Sequence, residues 1–300
     1  MSDNSKDIKR VHLLAVPFTG LGRHNGYRGD TWLANRIKVF TDYVLPSLTN
    51  QTNKNFIIWV AWRPEEKENP QVRELWKLMD NLESMRTVFT FGGTFLYDDK
   101  YPHEVAKDRL ITNISRFVPE LKSYVDWADE VLVTCQPSDD MFLSHTVKTI
   151  QEFPWKDEKA IGWTKGYIIN YATKELAEYN PDTTPPFATI RYPRDVFLDT
   201  EKHYEWIKDF KSHEDVVKLG FKELEGRGFI VGTHQENIST TWNIPYKGLP
   251  VHDDMVLFKA GIYFSPPIIQ KPNKRIIARK IYNYLPFKPI IRFIYKKLYV

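Results

Sequence analysis

The chain has a single cysteine, Cys135, among its 300 residues. One thiol cannot form the disulfide framework of a small secreted domain or a zinc site built on cysteine pairs, and it indicates a reducing compartment. Glycine (14) and proline (19) are too few for a linker-rich protein. A hydrophobic fraction of 42% excludes a disordered chain. This length suffices for one large α/β domain or two small ones.

Long hydrophobic runs are also absent. No uncharged apolar stretch approaches the roughly 18 residues that a membrane-spanning helix needs. Residues Met1–Arg10 are polar and charged, without the apolar core of a secretory signal. These features predict a cytoplasmic protein.

Acidic residues are missing from the end of the chain. None follows Asp254, whereas the last 46 residues contain ten Lys and Arg, so that residues 1–254 carry a net charge of −6. Segments 276–285 and 290–298 place Ile, Tyr and Leu on one side of a helical wheel and Lys and Arg on the other. Two interpretations stay open. Residues 271–300 bind an anionic membrane surface, which predicts a peripheral location on the cytoplasmic membrane face, or they form a helix pair docked on their own domain. The acidic body argues against a nucleic-acid partner.

Several nucleotide and hydrolase motifs are absent as well. The chain has no Walker loop, no Gly-rich dinucleotide fingerprint and no Gly-x-Ser-x-Gly elbow. These absences argue against a kinase, a dehydrogenase and a serine hydrolase. The spacing from His234 to His252 fits no standard zinc pattern.

Apolar runs and helical patterns alternate through the first half of the chain, which predicts a doubly wound α/β sheet with helices on both faces. The second half is more irregular and includes a predicted hairpin around Thr164-Lys165. The predicted units are a domain at 1–265, with a nucleotide-binding half at about 11–155 and an acceptor half at about 156–265, followed by the basic tail at 266–300. Strands are expected at 11–18, 56–62, 87–91, 130–135, 160–163, 166–171, 187–192 and 228–232, and helices at 31–48, 71–85, 103–124, 141–153, 203–219 and 253–259.

The carboxyl ends of the predicted strands are candidate ligand sites. The first strand ends at Phe18 and Thr19, the second at Arg63, and the fourth at Asp139 and Asp140. Adjacent carboxylates after a buried strand are suitable ligands for Mg²⁺ or Mn²⁺, which usually bridge to substrate phosphates. The alternative interpretation is an ordinary helix N-cap, Ser-Asp-Asp before Met141.

Two further polar clusters lie near the end of the predicted domain. Asp253 or Asp254 could act as a general base, or both could cap a short helix. His234 and Asn237 follow a strand and could bind a metal, a phosphate or sugar hydroxyls, or simply form a polar loop.

Several segments, in consistent order, resemble the rhamnosyltransferase-like family of GT-A glycosyltransferases. They begin with Trp32-Leu33-Ala34-Asn35-Arg36, Leu45-Pro46-Ser47-Leu48 and Gln51-Thr52 and continue through Asn55-Phe56 and Trp59. Val133-Thr134 to Asp140 resembles the strand and acidic loop of the family, Gly166-Tyr167-Ile168 and Pro186-Phe187 resemble later landmarks, and Val231 to Ser239 resembles a His-x-x-Asn-x-Ser signature. The resemblance spans about 11–241.

This resemblance implies a GT-A-like Rossmann-type fold and a nucleoside-diphosphate sugar as donor. Mn²⁺ or Mg²⁺ would be held mainly by Asp140, with Asp139 nearer the donor and His234 as a further metal or diphosphate contact. Where the family has the first Asp of its acidic motif, this chain has Pro137 or Ser138. The start of the helix at Asp253 and Asp254 is similar to that of inverting GT-A enzymes, in which the carboxylate is the base. Phe18, Thr19, Arg63, Asp139 and Asn237 complete the expected donor site.

The leading hypothesis is a metal-assisted, inverting glycosyltransferase that moves a sugar onto a hydroxyl group of a surface glycan or lipid-linked glycan. One alternative is a metal-dependent phosphodiesterase or nucleotidyltransferase that uses the same Asp139-Asp140 loop. Another is a non-catalytic membrane-surface or glycan-binding module with the same fold.

Overall fold

The structure is a computed structural model that describes residues 8–19, 29–92, 103–181, 187–209, 213–234, 242 and 248–267. Strands and helices alternate in the first half, as the apolar pattern predicts. The elements in order are β1 (Arg10–Pro17), α1 (Asp30–Val39), a π-helical turn (Phe40–Val44), α2 (Leu45–Thr49), β2 (Ile57–Ala61), a 3₁₀ turn (Pro64–Glu66), α3 (Pro70–Asp80), β3 (Arg86–Thr90), α4 (His103–Val125) and β4 (Glu130–Cys135).

The second half has shorter elements. They are β5 (Met141–Phe142), α5 (Thr146–Gln151), β6 (Ala160–Gly162), β7 (Gly166–Asn170), β8 (Leu176–Tyr179), β9 (Thr189–Pro193), α6 (Arg194–Leu198), α7 (Thr200–Ile207), a 3₁₀ helix (His213–Leu219), β10 (Phe221–Glu223), β11 (Phe229–Thr233), β12 (Pro250–Val251) and α8 (Asp254–Lys259).

A seven-stranded sheet forms the centre of the molecule, in the order β10-β6-β9-β4-β1-β2-β3. β1 pairs in parallel with both β2 and β4, and β9 runs antiparallel between β4 and β6. The side chains of β1 alternate between two buried clusters, with Leu14 and Val16 on one face and Leu13 and Ala15 on the other. This burial of both faces explains the near-continuous apolar sequence of the central strands. The predicted α/β fold class is therefore confirmed.

A second sheet packs beside the first, in the order β12-β8-β7-β11-β5. Its strands and α8 enclose a third apolar cluster that includes Met141, Ile169 and Leu257. β11 pairs with β7 and β5, so the residues that follow β4 and β11 lie close together.

Three sequence predictions are wrong in this half. The hairpin around Thr164-Lys165 does not form, because β6 belongs to the first sheet and β7 to the second. The helix predicted at 141–153 is a two-residue strand and then α5, because Met141 and Phe142 pair with β11. The helix predicted at 203–219 is divided between α7 and the 3₁₀ helix, and β8, β10 and β12 were not predicted.

The long helix predicted at 31–48 contains an irregularity. Its π-helical turn spans Phe40–Val44 and precedes Pro46. Proline has no N–H to donate to the carbonyl four residues earlier, and its ring crowds that carbonyl. Asp42 occupies that position inside the wider π-helical turn, which accommodates the proline.

The basic tail predicted at 266–300 lies outside the described residues from 268 onward. The predicted domain boundaries stay a prediction. Within the described ranges, none of the helices has both the length and the hydropathy to cross a membrane.

Candidate functional site

The loop that follows β4 holds the two carboxylates predicted to bind a metal. Asp139 and Asp140 are only 8% and 6% exposed. The side-chain amide of Gln136 donates to the carbonyl of Asp140 (2.6 Å) and to that of Pro137 (3.0 Å), which fixes the turn. The chain then enters β5, so the helix-cap interpretation of this loop is wrong.

Asp139 lies against a cation from α1. Its carboxylate forms a buried ion pair with the guanidinium of Arg36 and lies 3.2 Å from Nε2 of His234. The same His234 nitrogen lies 3.2 Å from Nη1 of Arg36. Burial raises the pKa of Asp139, but Arg36 and His234 together lower it below its usual value. Asp139 is therefore ionised at neutral pH.

Asp140 has a different environment. Its Oδ1 accepts a hydrogen bond from the backbone N–H of Gly232 at 2.8 Å. Burial and the neighbouring charge of Asp139 raise the pKa of Asp140 well above its usual value. Among the described residues, no cationic side chain forms an ion pair with Asp140. Among the described residues, the loop thus contains one carboxylate in an ion pair and one without.

Gly232 and Tyr171 hold this arrangement from the side of the second sheet. The Tyr171 hydroxyl donates to the carbonyl of Asp139 at 2.6 Å. Its ring stacks on Tyr43 with 4.0 Å between centroids. A Cβ atom at Gly232 would overlap the Asp139 carbonyl and the Tyr171 hydroxyl, so glycine is required here for close approach.

The ends of β1 and β2 form a neighbouring cluster. Phe18 is buried and stacks on Trp62 with 4.5 Å between centroids. The Thr19 hydroxyl hydrogen-bonds to the carboxylate of Glu66, and Nη2 of Arg63 lies 3.4 Å from the same carboxylate. Burial raises the pKa of Glu66. Thr19 and Arg63, both predicted site residues, are thus brought together through Glu66.

Asp253 and Asp254 lie at the start of α8, and both are exposed. The Asp253 carboxylate accepts the backbone N–H of Met255 at 2.9 Å and caps the helix, while Asp254 accepts the Ser265 hydroxyl at 2.8 Å. No hydrogen bond or ion pair between described residues joins either one to Asp139 or Asp140. The predicted site residue Asn237 lies outside the described residues.

Four site residues were not predicted: Arg36, Glu66, Tyr171 and Gly232. Arg36 is part of the Trp-Leu-x-x-Arg segment, but a charged residue in an amphipathic helix is normally assigned to the solvent-facing side. Its position four residues after Trp32, on the buried side of α1, is the signal that could have identified it.

The predicted metal ligands fit a divalent cation only in part. In the described part of the chain, no three His, Cys, Asp or Glu side chains form a cluster that could hold a metal ion. Asp140 fits, because it is a buried oxygen ligand that forms no ion pair with any described residue. Asp139 and His234 both contact Arg36, so either would have to exchange that contact for a metal.

The sequence comparisons confirm the resemblance over part of the chain. Residues 24–90 match the family described as "Putative rhamnosyl transferase". This segment includes Arg36 and Arg63 and ends before the Asp139-Asp140 loop. No curated protein matches the chain.

The solved structures that match the chain have low sequence identity and TM-scores below 0.5. The structure of residues 1–349 of TarS from S. aureus is 15% identical, with a TM-score of 0.39, and the match covers 74% of this chain. The chain spans 60% of the length of that TarS structure. The inositol-1-phosphate CTP transferase from T. maritima is 11% identical, with a TM-score of 0.41, over 85% of this chain and 99% of the other.

Proposed function

We propose that the protein is a glycosyltransferase that moves a sugar from a nucleoside-diphosphate sugar to a hydroxyl group of a surface glycan or lipid-linked glycan. The observation that carries this proposal is the buried Asp139-Asp140 loop at the carboxyl end of β4, beside β1 in a mostly parallel sheet. Ligands of such sheets bind at this edge. The family match at 24–90 supports a transferase.

The charges at this edge suit a diphosphate only when a further cation is present. Asp139 and Asp140 would repel phosphate, and Arg36 already forms an ion pair with Asp139. Mn²⁺ or Mg²⁺ on Asp140 would neutralise the charge of the leaving diphosphate. In this proposal Thr19 and Arg63 contact the donor beside the loop, and Asp139 keeps Arg36 and His234 in place.

Transfer also requires a base that takes the proton from the acceptor hydroxyl. We assign this role to the Asp253-Asp254 pair, because both side chains are exposed and open to an acceptor. Direct attack by an acceptor so activated inverts the anomeric configuration. We also propose that Asn237 contacts the nucleotide-sugar donor, as the sequence resemblance implies.

The test is incubation of the full chain with UDP-, GDP- and dTDP-sugars, Mn²⁺ and hydroxyl acceptors, with measurement of released nucleoside diphosphate and of glycosylated product. Transfer from one donor supports the proposal. Release of pyrophosphate from a nucleoside triphosphate and a sugar phosphate would instead identify a nucleotidyltransferase. Absence of all turnover and nucleotide binding would favour a glycan-binding module.

For residues 271–300 we propose a role in location. A basic segment with one apolar side would hold the enzyme on anionic lipid at the cytoplasmic membrane face, where a lipid-linked acceptor lies. Deletion of 271–300 should release the protein from anionic vesicles and leave its folding unchanged. Loss of folding would mean that these residues dock on the domain.

A further inference from the structure

Arg36 retains an unused hydrogen-bond donor at the candidate site. The residue is 5% exposed, and its Nη1 contacts both Asp139 and His234. Its Nε–H is buried and has no partner among the described residues. Buried N–H groups are nearly always paired, so an unpaired one requires an explanation.

A second unpaired donor lies one helical turn away on α1. Trp32 is 6% exposed, and the guanidinium of Arg36 lies 5.6 Å from the centroid of its ring. The indole Nε1–H of Trp32 is also buried and without a partner among the described residues. The helix therefore presents two unused N–H donors beside a fixed positive charge.

This combination suits an anion. An arginine has five N–H donors, so the ion pair of Nη1 with Asp139 does not prevent Nε from binding a second group. The planar guanidinium matches the geometry of phosphate oxygens, and the neutral indole N–H adds a donor without a further charge. A sugar hydroxyl would not need the cation.

We propose that Arg36 and Trp32 bind the diphosphate of the nucleotide donor, an inference that rests on the proposed function. The helix α1 would then contact the leaving group directly, while Asp139 orients the guanidinium from the opposite side. A metal ion on Asp140 and the Arg36-Trp32 pair would act on the same diphosphate but through separate residues.

The test compares ligands with and without phosphate on matched variants. Trp32→Phe removes the indole N–H and keeps an aromatic ring, and Arg36→Lys keeps the charge but replaces the whole guanidinium, including Nε, with one ammonium group. Trp155→Phe is the matched control, because the Trp155 Nε1–H is likewise buried and unpartnered but its ring packs against Phe153 and Arg191. Calorimetry would measure the binding of UDP, GDP and dTDP, of the corresponding nucleosides, and of inorganic pyrophosphate, with and without Mn²⁺.

We expect Trp32→Phe and Arg36→Lys each to weaken diphosphate and pyrophosphate binding about tenfold, with nucleoside binding unchanged. Thermal unfolding should be unchanged in Trp32→Phe. Trp155→Phe should bind all probes as the wild type does. Equal losses for nucleoside and diphosphate, or no loss at all, would overturn the assignment. If the wild type transfers sugar while the variants bind donor normally, only this inference fails. If the wild type binds no nucleotide and no pyrophosphate, both proposals fail.

Discussion

The carboxylate of Asp139 and the guanidinium of Arg36 form a buried ion pair that joins the loop after β4 to helix α1. Side-chain exposures of 11% and 6% leave little water to screen the two charges. The pair fixes the acidic loop relative to the helix that follows β1. It also places the positive charge of Arg36 beside Asp139 and His234, two of the predicted metal ligands.

Arg36→Met should lower the free energy of unfolding by about 3 to 5 kcal/mol, because Asp139 would remain buried without its cation. Urea denaturation measures this change. The control is Arg10→Met, which breaks the more exposed pair with Glu130 and should cost about 1 kcal/mol or less. Similar losses in both variants would show that the Arg36-Asp139 pair contributes no more than a surface ion pair.

Gly232→Ala should disrupt the site through overlap rather than charge. The added methyl group would meet the Asp139 carbonyl and the Tyr171 hydroxyl, which the packed second sheet holds in place. We expect a loss of about 2 to 3 kcal/mol in unfolding free energy and weaker nucleotide binding. Gly162→Ala, whose new Cβ would have its nearest neighbours at 3.3 Å, should be much milder. A neutral Gly232→Ala would contradict the close approach described above.

The sequence predicted the first half of the fold well and the second half poorly, for a physical reason. β4 matches its predicted bounds because a short run rich in β-branched residues and bounded by turn residues is typical of a strand. The apolar pair Met141 and Phe142 fits either a short strand or the start of a helix, since apolar periodicity alone does not separate the two. Their pairing with β11 is a long-range contact that no local pattern encodes.

The same limit applied to the candidate site. Asp139 and Asp140 follow a recognisable strand, so their place at the edge of the sheet was predictable. Their partners were not, because Arg36 and Gly232 come from elements that only the packed fold brings to the loop.

Asp140→Asn tests the metal ligand. The amide oxygen can still accept the Gly232 N–H, while the buried charge and its affinity for a cation are lost. Burial raises the pKa of Asp140, so above the usual pKa of a carboxyl group the need to ionise or protonate Asp140 lowers the stability of the folded protein. In the absence of metal at neutral pH, we therefore expect Asp140→Asn to be more stable than the wild type. Thermal unfolding with and without Mn²⁺ measures both effects. A metal-induced rise in Tm that persists in the variant would exclude Asp140 as a ligand.

Two substitutions separate catalysis from helix capping at α8. Asp253→Ser keeps a good N-cap for the Met255 N–H, and Asp254→Asn keeps an acceptor for Ser265, so both should fold normally. The variant that removes the base should lower kcat by about 100-fold or more, with little change in KM for the donor. Normal kcat in both variants would leave the two residues with a capping role only.

The histidine buried in β1 should make stability dependent on pH. Nε2 of His12 lies 2.7 Å from the Thr134 hydroxyl, and burial lowers the pKa of His12 from its usual value of about 6.5 to about 3. Below pH 6.5 His12 therefore binds a proton in the unfolded chain but not in the folded chain. As a result, the free energy of unfolding falls as the pH drops towards 3. The slope for one such group is about 1.4 kcal/mol per pH unit.

His203 adds to this slope, because burial lowers its pKa to about 4. His12→Gln should flatten the decline between pH 6 and 4 in urea denaturation, whereas His252→Gln, at an exposed position, should not. The flattening is expected even if the substitution lowers stability at pH 7, because the slope depends on proton uptake and not on the absolute free energy. A slope unchanged by His12→Gln would mean that His12 accepts its proton in the folded protein, in conflict with its burial between the strands.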